Sequence, residues 1–92
     1  MPEKFPVIKR KGHKEKYDER KVYASCYSAC LASHIPIRQA EKICGKVSKT
    51  VSSFVKKRKS VTSNQIFLIA AKSLSSHNKN AAFMYRTHRD LS

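Results

Sequence analysis

The stretch from residue 36 to residue 57, PIRQAEKICGKVSKTVSSFVKK, carries the clearest structural signal in the chain. Its apolar residues recur every three or four positions, as they do along one face of an α-helix. Pro36 suits a first helical turn, and the cations at the far end suit the negative pole of the helix dipole. We therefore expect one long amphipathic helix, with a buried stripe formed by Ile37, Ala40, Ile43, Cys44, Val47, Val51, Phe54 and Val55.

Capping signals predict three more helices around it. Asp18 can accept backbone N–H groups as an N-cap, ahead of a helix whose inward face carries Val22 and Cys26. Thr62 and Gln65 form a capping box that opens a third helix, and a short fourth helix follows the break around residues 75–78. The expected helices cover about residues 19–32, 36–57, 63–76 and 79–90.

The segment before the first helix reads as a β-hairpin over about residues 5–17. Two short runs flank Lys11-Gly12, and a two-residue turn there sets Arg10 opposite His13 and Ile8 opposite Glu15. A lone hairpin is unstable in water, so it must dock on the helices.

Val61 offers a further short strand. The predicted fold class is α+β, mostly α: a four-helix bundle capped by a small β-hairpin or a three-stranded sheet. The whole chain, residues 1–92, is expected to form a single domain.

The composition points to a partner that carries phosphate. Lys and Arg number 20 against 6 acidic residues, which gives a formal net charge of +14. Such a surface attracts polyanions, whether nucleotides, nucleic acid or anionic lipid. The sequence shows neither a secretory signal nor an apolar run long enough to span a bilayer, so we expect a cytoplasmic protein without a membrane partner.

Catalytic and metal motifs are weak. There is no convincing carboxylate pair, no nucleophile elbow and no phosphate loop, so an enzyme is not expected. Cys26 and Cys30 share a helix face and Cys44 lies on the next apolar stripe, with His34, His77 or His88 as a conceivable fourth ligand. Structural zinc sites usually use tighter spacings, and free cysteines often serve as small apolar residues. Core packing of reduced thiols, with no metal ligands, is therefore the expectation.

The stretch VIKRKGHKEKYDERK, residues 7–21, offers a seat for a polyphosphate. Lys9 and Arg10 end the first strand, Lys21 lies in the first turn of the helix, and the helix N-terminus adds exposed N–H donors. Glu15 does not suit a phosphate neighbour, but it can pair with a cation or accept a hydrogen bond from an adenine amine. A nucleotide would satisfy both halves of this stretch.

The spaced residues V-I-K-R-x-G, Val7 to Gly12, then Glu15, Tyr17-Asp18 and Lys21, resemble the ATP-cone domain of ribonucleotide reductases and of the repressor of their genes. Weaker likenesses follow at Ile66 after Thr62-Ser63 and at Phe83-x-Tyr85-Arg86-x-x-Arg89, so the resemblance covers about residues 5–90. The family usually has Asp or Asn before the glycine, where this chain has Lys11.

The resemblance implies a four-helix bundle covered by a small sheet, which binds ATP or dATP as an allosteric effector without hydrolysis. Phosphates would meet Lys9, Arg10 and Lys21. The adenosine would meet Glu15 to Asp18, and Ser63 would lie near the sugar or phosphates. Mg²⁺ can accompany the nucleotide. The implied nucleotide-binding residues are Lys9, Arg10, Glu15, Lys16, Tyr17, Asp18, Lys21, Ser63 and Arg89, with Arg86 as an alternative to Arg89.

Two hypotheses follow. The first is a non-enzymatic nucleotide-binding regulatory domain, stand-alone or part of a larger regulator or reductase, which signals to a protein partner or to a second copy through its helices. The second is a basic nucleic-acid-binding protein, in one form a nucleotide-responsive transcription regulator. The run from Lys56 to Lys59 is equally consistent with a phosphate contact and with a solvated helix end.

Overall fold

The computed structural model describes the backbone of residues 7–10, 13–58 and 60–91, and the side chains of residues 16–58 and 60–87. Over these residues the chain forms four helices, and the predicted helical bundle is confirmed. Each helix bound lies within one residue of the expected one. The helices are α1 Glu19–Ala32, α2 Ile37–Lys56, α3 Ser63–His77 and α4 Lys79–Leu91.

Within the described ranges, three short strands lie outside the helices: β1 Val7–Arg10, β2 His13–Lys16 and β3 Ser60–Thr62. Their order in the sheet is β2-β1-β3, with β1 antiparallel to β2 and parallel to β3. The antiparallel register sets Arg10 opposite His13, the pairing that a two-residue loop between the strands produces. Lys11 and Gly12, the expected turn, lie outside the described residues.

The helix ends show why the boundaries fall where they do. Asp18 caps α1 by accepting the N–H of Arg20 at 2.9 Å, and Thr62 and Gln65 form the expected capping box at α3. Both caps are confirmed. At the other end of α1, His34 adopts a φ of 62°. The N–H groups of His34 and Ile35 donate to carbonyls of the last helical turn, which is the Schellman pattern of a helix C-terminus.

The core lies between the helices. α2 contacts both α1 and α3, and α4 closes the other side against α1 and α3. The predicted α2 stripe is buried except at its edges: Phe54 is half-buried, and Ile37 is 58% exposed. Burial of Ile37 was a wrong prediction, because this residue opens the helix and has no preceding turn to cover it. The largest fully buried side chains are Leu74, Val47, Val51, Val55, Val61, Cys26, Cys30 and Cys44.

None of the described helices combines the length and the apolar character needed to cross a bilayer.

Candidate functional site

The strand register brings the end of β1 to the beginning of α3. Lys9 lies opposite Thr62 in the parallel pairing of β1 with β3, and Ser63 is the first residue of α3. Thr62 Oγ1 accepts the N–H of Gln65 at 3.0 Å, while Gln65 Oε1 accepts the N–H of Thr62 at 2.9 Å. The positive end of the α3 dipole therefore lies beside the backbone of Lys9. The side chains of Lys9 and Arg10 lie outside the described part of the chain.

The residues that follow β2 lie at the other end of the sheet. Lys16, the last residue of β2, is opposite Val7, and Tyr17 and Asp18 lead from there into α1. Val7 and Arg10 are three strand residues apart, which corresponds to about 10 Å. Lys16 and Lys21 are both exposed. The predicted residues therefore form two groups, one at each end of β1.

Asp18 holds the beginning of α1 through its carboxylate. Beyond the cap, its two carboxylate oxygens accept from the guanidinium of Arg20 at 3.2 and 3.4 Å. These hydrogen bonds and the charge of Arg20 lower the pKa of Asp18. The carboxylate is thus ionised and already engaged in the structure, which leaves it a structural role before any ligand arrives.

Tyr17 is buried where β2 passes into α1. Only 5% of the residue is exposed, and its hydroxyl lies 2.9 Å from Ser52 Oγ on α2. Burial raises the pKa of the Tyr17 hydroxyl, which therefore stays protonated at neutral pH. The resemblance implied that Tyr17 would meet adenosine; in the structure its side chain is buried against Ser52.

The remaining predicted positions are placed only in part. Ser63 is half-buried and is the first residue of α3, directly after the Thr62 cap. Glu15 lies in β2 and Arg89 in α4, but the side chains of both lie outside the described residues. Arg86, the alternative to Arg89, is exposed on α4.

The three cysteines meet in the core. Their sulfur atoms all lie within 4.8 Å of one another, and the Sγ atoms of Cys30 and Cys44 are 4.0 Å apart. None of the three residues is exposed. Burial raises the pKa of all three thiols, that of Cys44 to about 12. This arrangement sits uneasily with the expectation that the chain offers no metal ligands.

A basic face on α2 was not predicted from the sequence, although Lys56, at the end of this face, was considered as a phosphate contact. It is formed by cations that follow one another at helical spacings and are all exposed. The helical spacing of these cations is already visible in the sequence of α2, alongside the apolar stripe. We call this surface the α2 basic face; its residues are Arg38, Lys42, Lys46, Lys49 and Lys56.

Comparison with known families gives one match. A family profile described as the ATP cone domain matches residues 6–91, nearly the whole chain. Comparisons with curated proteins and with solved structures return no match.

Proposed function

The chain belongs to the ATP-cone family, whose members are regulatory nucleotide-binding modules, and we propose that it binds ATP or dATP as an effector without hydrolysing it. The observation that carries this proposal is the pairing of Lys9 with Thr62 at the capped beginning of α3. A lysine and an arginine at a strand end, beside the positive end of a helix dipole, form a favourable environment for phosphate.

The adenosine belongs at the other end of β1 in this proposal. Glu15 lies in β2, one residue before Lys16. Lys21, which the resemblance assigns to the phosphates, is exposed in the first turn of α1 at this same end of β1, so in this proposal it lies nearer the adenosine than Lys9 and Arg10 do. An extended nucleoside triphosphate is long enough to place its base near β2 and its phosphates near α3. Its length gives a reason for site residues at both ends of one strand. Arg89, late in α4, is the proposed final cation of the site.

Tyr17 takes a positioning role in the proposed site. Its hydroxyl is engaged with Ser52, so the side chain fixes the corner between β2 and α1 and does not reach for the ligand. Asp18 acts in the same way through its cap and its pair with Arg20. The contacts to the nucleotide are then left to Lys9, Arg10, Glu15, Lys16, Lys21, Ser63 and Arg89.

Calorimetric titration with ATP, dATP and GTP tests the proposal. Lys9→Ala should weaken ATP binding by roughly 10- to 100-fold, the value of one charge-assisted hydrogen bond to phosphate. The matched control is Lys42→Ala, which removes an exposed cation from α2 and should leave ATP affinity unchanged. Equal affinity in wild type and Lys9→Ala, with the fold intact by circular dichroism, would remove the phosphate seat.

Glu15→Gln tests the adenine contact in the same assay. If the Glu15 carboxylate accepts from the adenine amine, wild type should prefer ATP to GTP and the variant should lose most of that preference. A variant that keeps the full preference would assign base recognition to other residues.

We further propose that the nucleotide state is passed on through the helices, to a partner or to a second copy. The support is the pair of exposed apolar side chains on neighbouring helices, Leu68 on α3 at 55% and Phe83 on α4 at 64% exposed. Sedimentation with and without ATP tests this step. We expect the molecular mass of the wild-type assembly to change when ATP binds, and we expect Phe83→Ser to abolish this change. Identical sedimentation with and without ATP, in protein shown to bind ATP, would contradict this step.

The α2 basic face supports a second function, binding of nucleic acid through its phosphates. Its five cations extend over about 27 Å of helix and lie on one solvent-exposed side. Duplex DNA presents phosphates at a density that a row of this kind can follow without reading the sequence. This function is compatible with nucleotide sensing, because it uses a different set of residues from the proposed nucleotide site.

The two functions separate in one experiment. The triple variant Lys42→Glu, Lys46→Glu, Lys49→Glu should lose DNA binding measured by fluorescence anisotropy and should retain ATP binding. Wild-type affinity for DNA should fall steeply between low and moderate salt, because binding releases counterions from the phosphates. If the triple variant binds DNA as tightly as wild type does, the α2 basic face is not the DNA-binding surface.

A further inference from the structure

Three thiols from two helices point toward one place in the core. Cys26 and Cys30 lie one turn apart on α1, and Cys44 lies on α2. All three sulfurs fall within 4.8 Å of one another, and two of them are at 4.0 Å. Packing alone requires each cysteine to fill a small apolar volume. It does not require the three sulfur atoms to converge.

The size of this triangle suits a metal ion. A Zn–S bond of about 2.3 Å puts neighbouring sulfurs about 3.8 to 4.0 Å apart in tetrahedral or trigonal geometry. The Cys30–Cys44 pair already has this separation. The widest sulfur separation, at most 4.8 Å, closes with a shift of under about 1 Å, which side-chain rotation can supply.

We propose that Cys26, Cys30 and Cys44 form a trithiolate site for a soft metal cation, Zn²⁺ or Cu⁺, in the core between α1 and α2. Sulfur ligands select these ions over hard cations such as Mg²⁺ and Ca²⁺. The proposal rests on the cysteine geometry alone and is independent of nucleotide binding.

Charge and coordination number favour different ions. Three thiolates with Zn²⁺ leave one negative charge, and with Cu⁺ they leave two, so the buried setting favours Zn²⁺. Zn²⁺ in turn prefers four ligands. Among the described residues, the group of potential metal-binding side chains contains the three cysteines alone. Cu⁺ needs no fourth ligand.

Binding balances without any redox step. Each cysteine that becomes a ligand releases its thiol proton to solvent as its sulfur bonds to the cation, and the metal keeps its oxidation state. The product is a clip between α1 and α2. Because the first residues of α1 belong to the proposed nucleotide site, the clip would hold the helix on which that site is built.

The experiment compares metal-free protein with protein loaded by Zn²⁺ alone or by Cu⁺ alone. The chain is reduced with a non-thiol reductant, treated with a chelator, passed through gel filtration and then titrated without oxygen. About one equivalent of one of these ions should stay bound through a second gel filtration, and Tm should rise by at least about 5 °C. The ion that produces both effects is the assigned metal.

Variants separate the core site from surface histidines. Cys44→Ala should lose both the bound metal and the rise in Tm, whereas Val47→Ala, an equally buried change on the same helix, should keep both. The histidines are the same in both variants. If Cys44→Ala fails to fold, Cys26→Ala and the metal dependence of wild-type Tm provide the decision.

Three results would overturn the proposal. The first is reduced wild type that retains neither metal and shows the same Tm in every sample, which leaves packing as the sole role of the cysteines. The second is metal that stays bound in Cys44→Ala. The third is a Cys30–Cys44 disulfide, seen as the loss of two hydrogen masses, that forms in air and is not prevented by either metal.

Discussion

The hydrogen bond between Tyr17 and Ser52 makes the sharpest prediction about this fold. It joins the corner between β2 and α1 to the middle of α2, across a distance of 2.9 Å between two residues that are 5% and 6% exposed. Tyr17→Phe keeps the ring and removes only the hydroxyl, so no large cavity forms. What it leaves behind is a buried serine oxygen without this partner.

The expected magnitude follows from that geometry. A buried neutral hydrogen bond contributes about 0.5–1.5 kcal/mol net, and stranding one partner costs about 1–3 kcal/mol. We expect Tyr17→Phe to lower the free energy of unfolding by about 1–2 kcal/mol. In a domain of this size, that corresponds to a fall in Tm of about 4–16 °C.

Ser52→Ala should cost less than Tyr17→Phe. Alanine is the better helix former by about 0.5 kcal/mol, and this gain offsets part of the lost hydrogen bond. The matched control is Ser53→Ala, an exposed position next to it on the same helix with the same change in helix propensity. It should be neutral or slightly stabilising. The double variant Tyr17→Phe, Ser52→Ala should cost little more than Tyr17→Phe.

Urea unfolding of wild type, Tyr17→Phe, Ser52→Ala and the double variant gives the coupling energy of this double-mutant cycle, which should be about 1 kcal/mol. Circular dichroism at fixed pH and salt is a sufficient readout, provided that the slope with urea stays constant. Additive effects, with a coupling energy below about 0.3 kcal/mol, would show that the hydroxyls do not support each other and would refute this account of the corner.

Three further predictions concern single residues. His34→Gly should raise the free energy of unfolding by about 1 kcal/mol in a urea titration, because φ is 62° there and glycine adopts this conformation freely; His34→Ala, which keeps a β-carbon, should not. Burial raises the pKa of Tyr17, so its contribution to the free energy of unfolding is fully present below the ordinary pKa of 10.0 and is lost as pH rises through the folded-state pKa. Tyr17→Phe should therefore show a smaller fall in Tm than wild type between about pH 9 and 11. The hydrogen bonds from Arg20 lower the pKa of Asp18, so the contribution of Asp18 to the free energy of unfolding is present above the ordinary pKa of 3.8 and is lost as pH falls through the folded-state pKa. Asp18→Asn keeps the helix cap, and it should remove this part of the fall in Tm at acid pH.

The helices were predictable because their signals are local. The cap at Asp18 and the capping box at Thr62 each act within one turn. The apolar stripe of α2 repeats with the period of an α-helix, which a β-strand does not share. The single clear error in that stripe, Ile37, is the first residue of the helix, where no preceding turn covers it.

The site was less predictable because it depends on contacts between distant segments. The position of Lys9 beside Thr62 comes from a parallel pairing of β1 with β3, which no short motif specifies. The burial of Tyr17 likewise depends on Ser52, which is 35 positions away. The sulfur cluster depends on how α1 is rotated against α2, and a spacing rule for zinc motifs contains nothing about that rotation.

Two of these long-range contacts involve the same pair of helices. Ser52 on α2 holds Tyr17 just before α1 begins, and Cys44 on α2 lies against Cys30 in the last turn of α1. α2 therefore fixes α1 at both ends, and α1 cannot shift along α2 unless at least one contact changes. A nucleotide that acts on the beginning of α1 has two physical routes. Either it keeps the Tyr17–Ser52 bond and moves α1 with α2 as one body, or it breaks the bond and moves α1 alone. A metal clip at the cysteines would oppose the second route at the far end of the helix, so the effect of metal on the nucleotide response would reveal which route the protein uses.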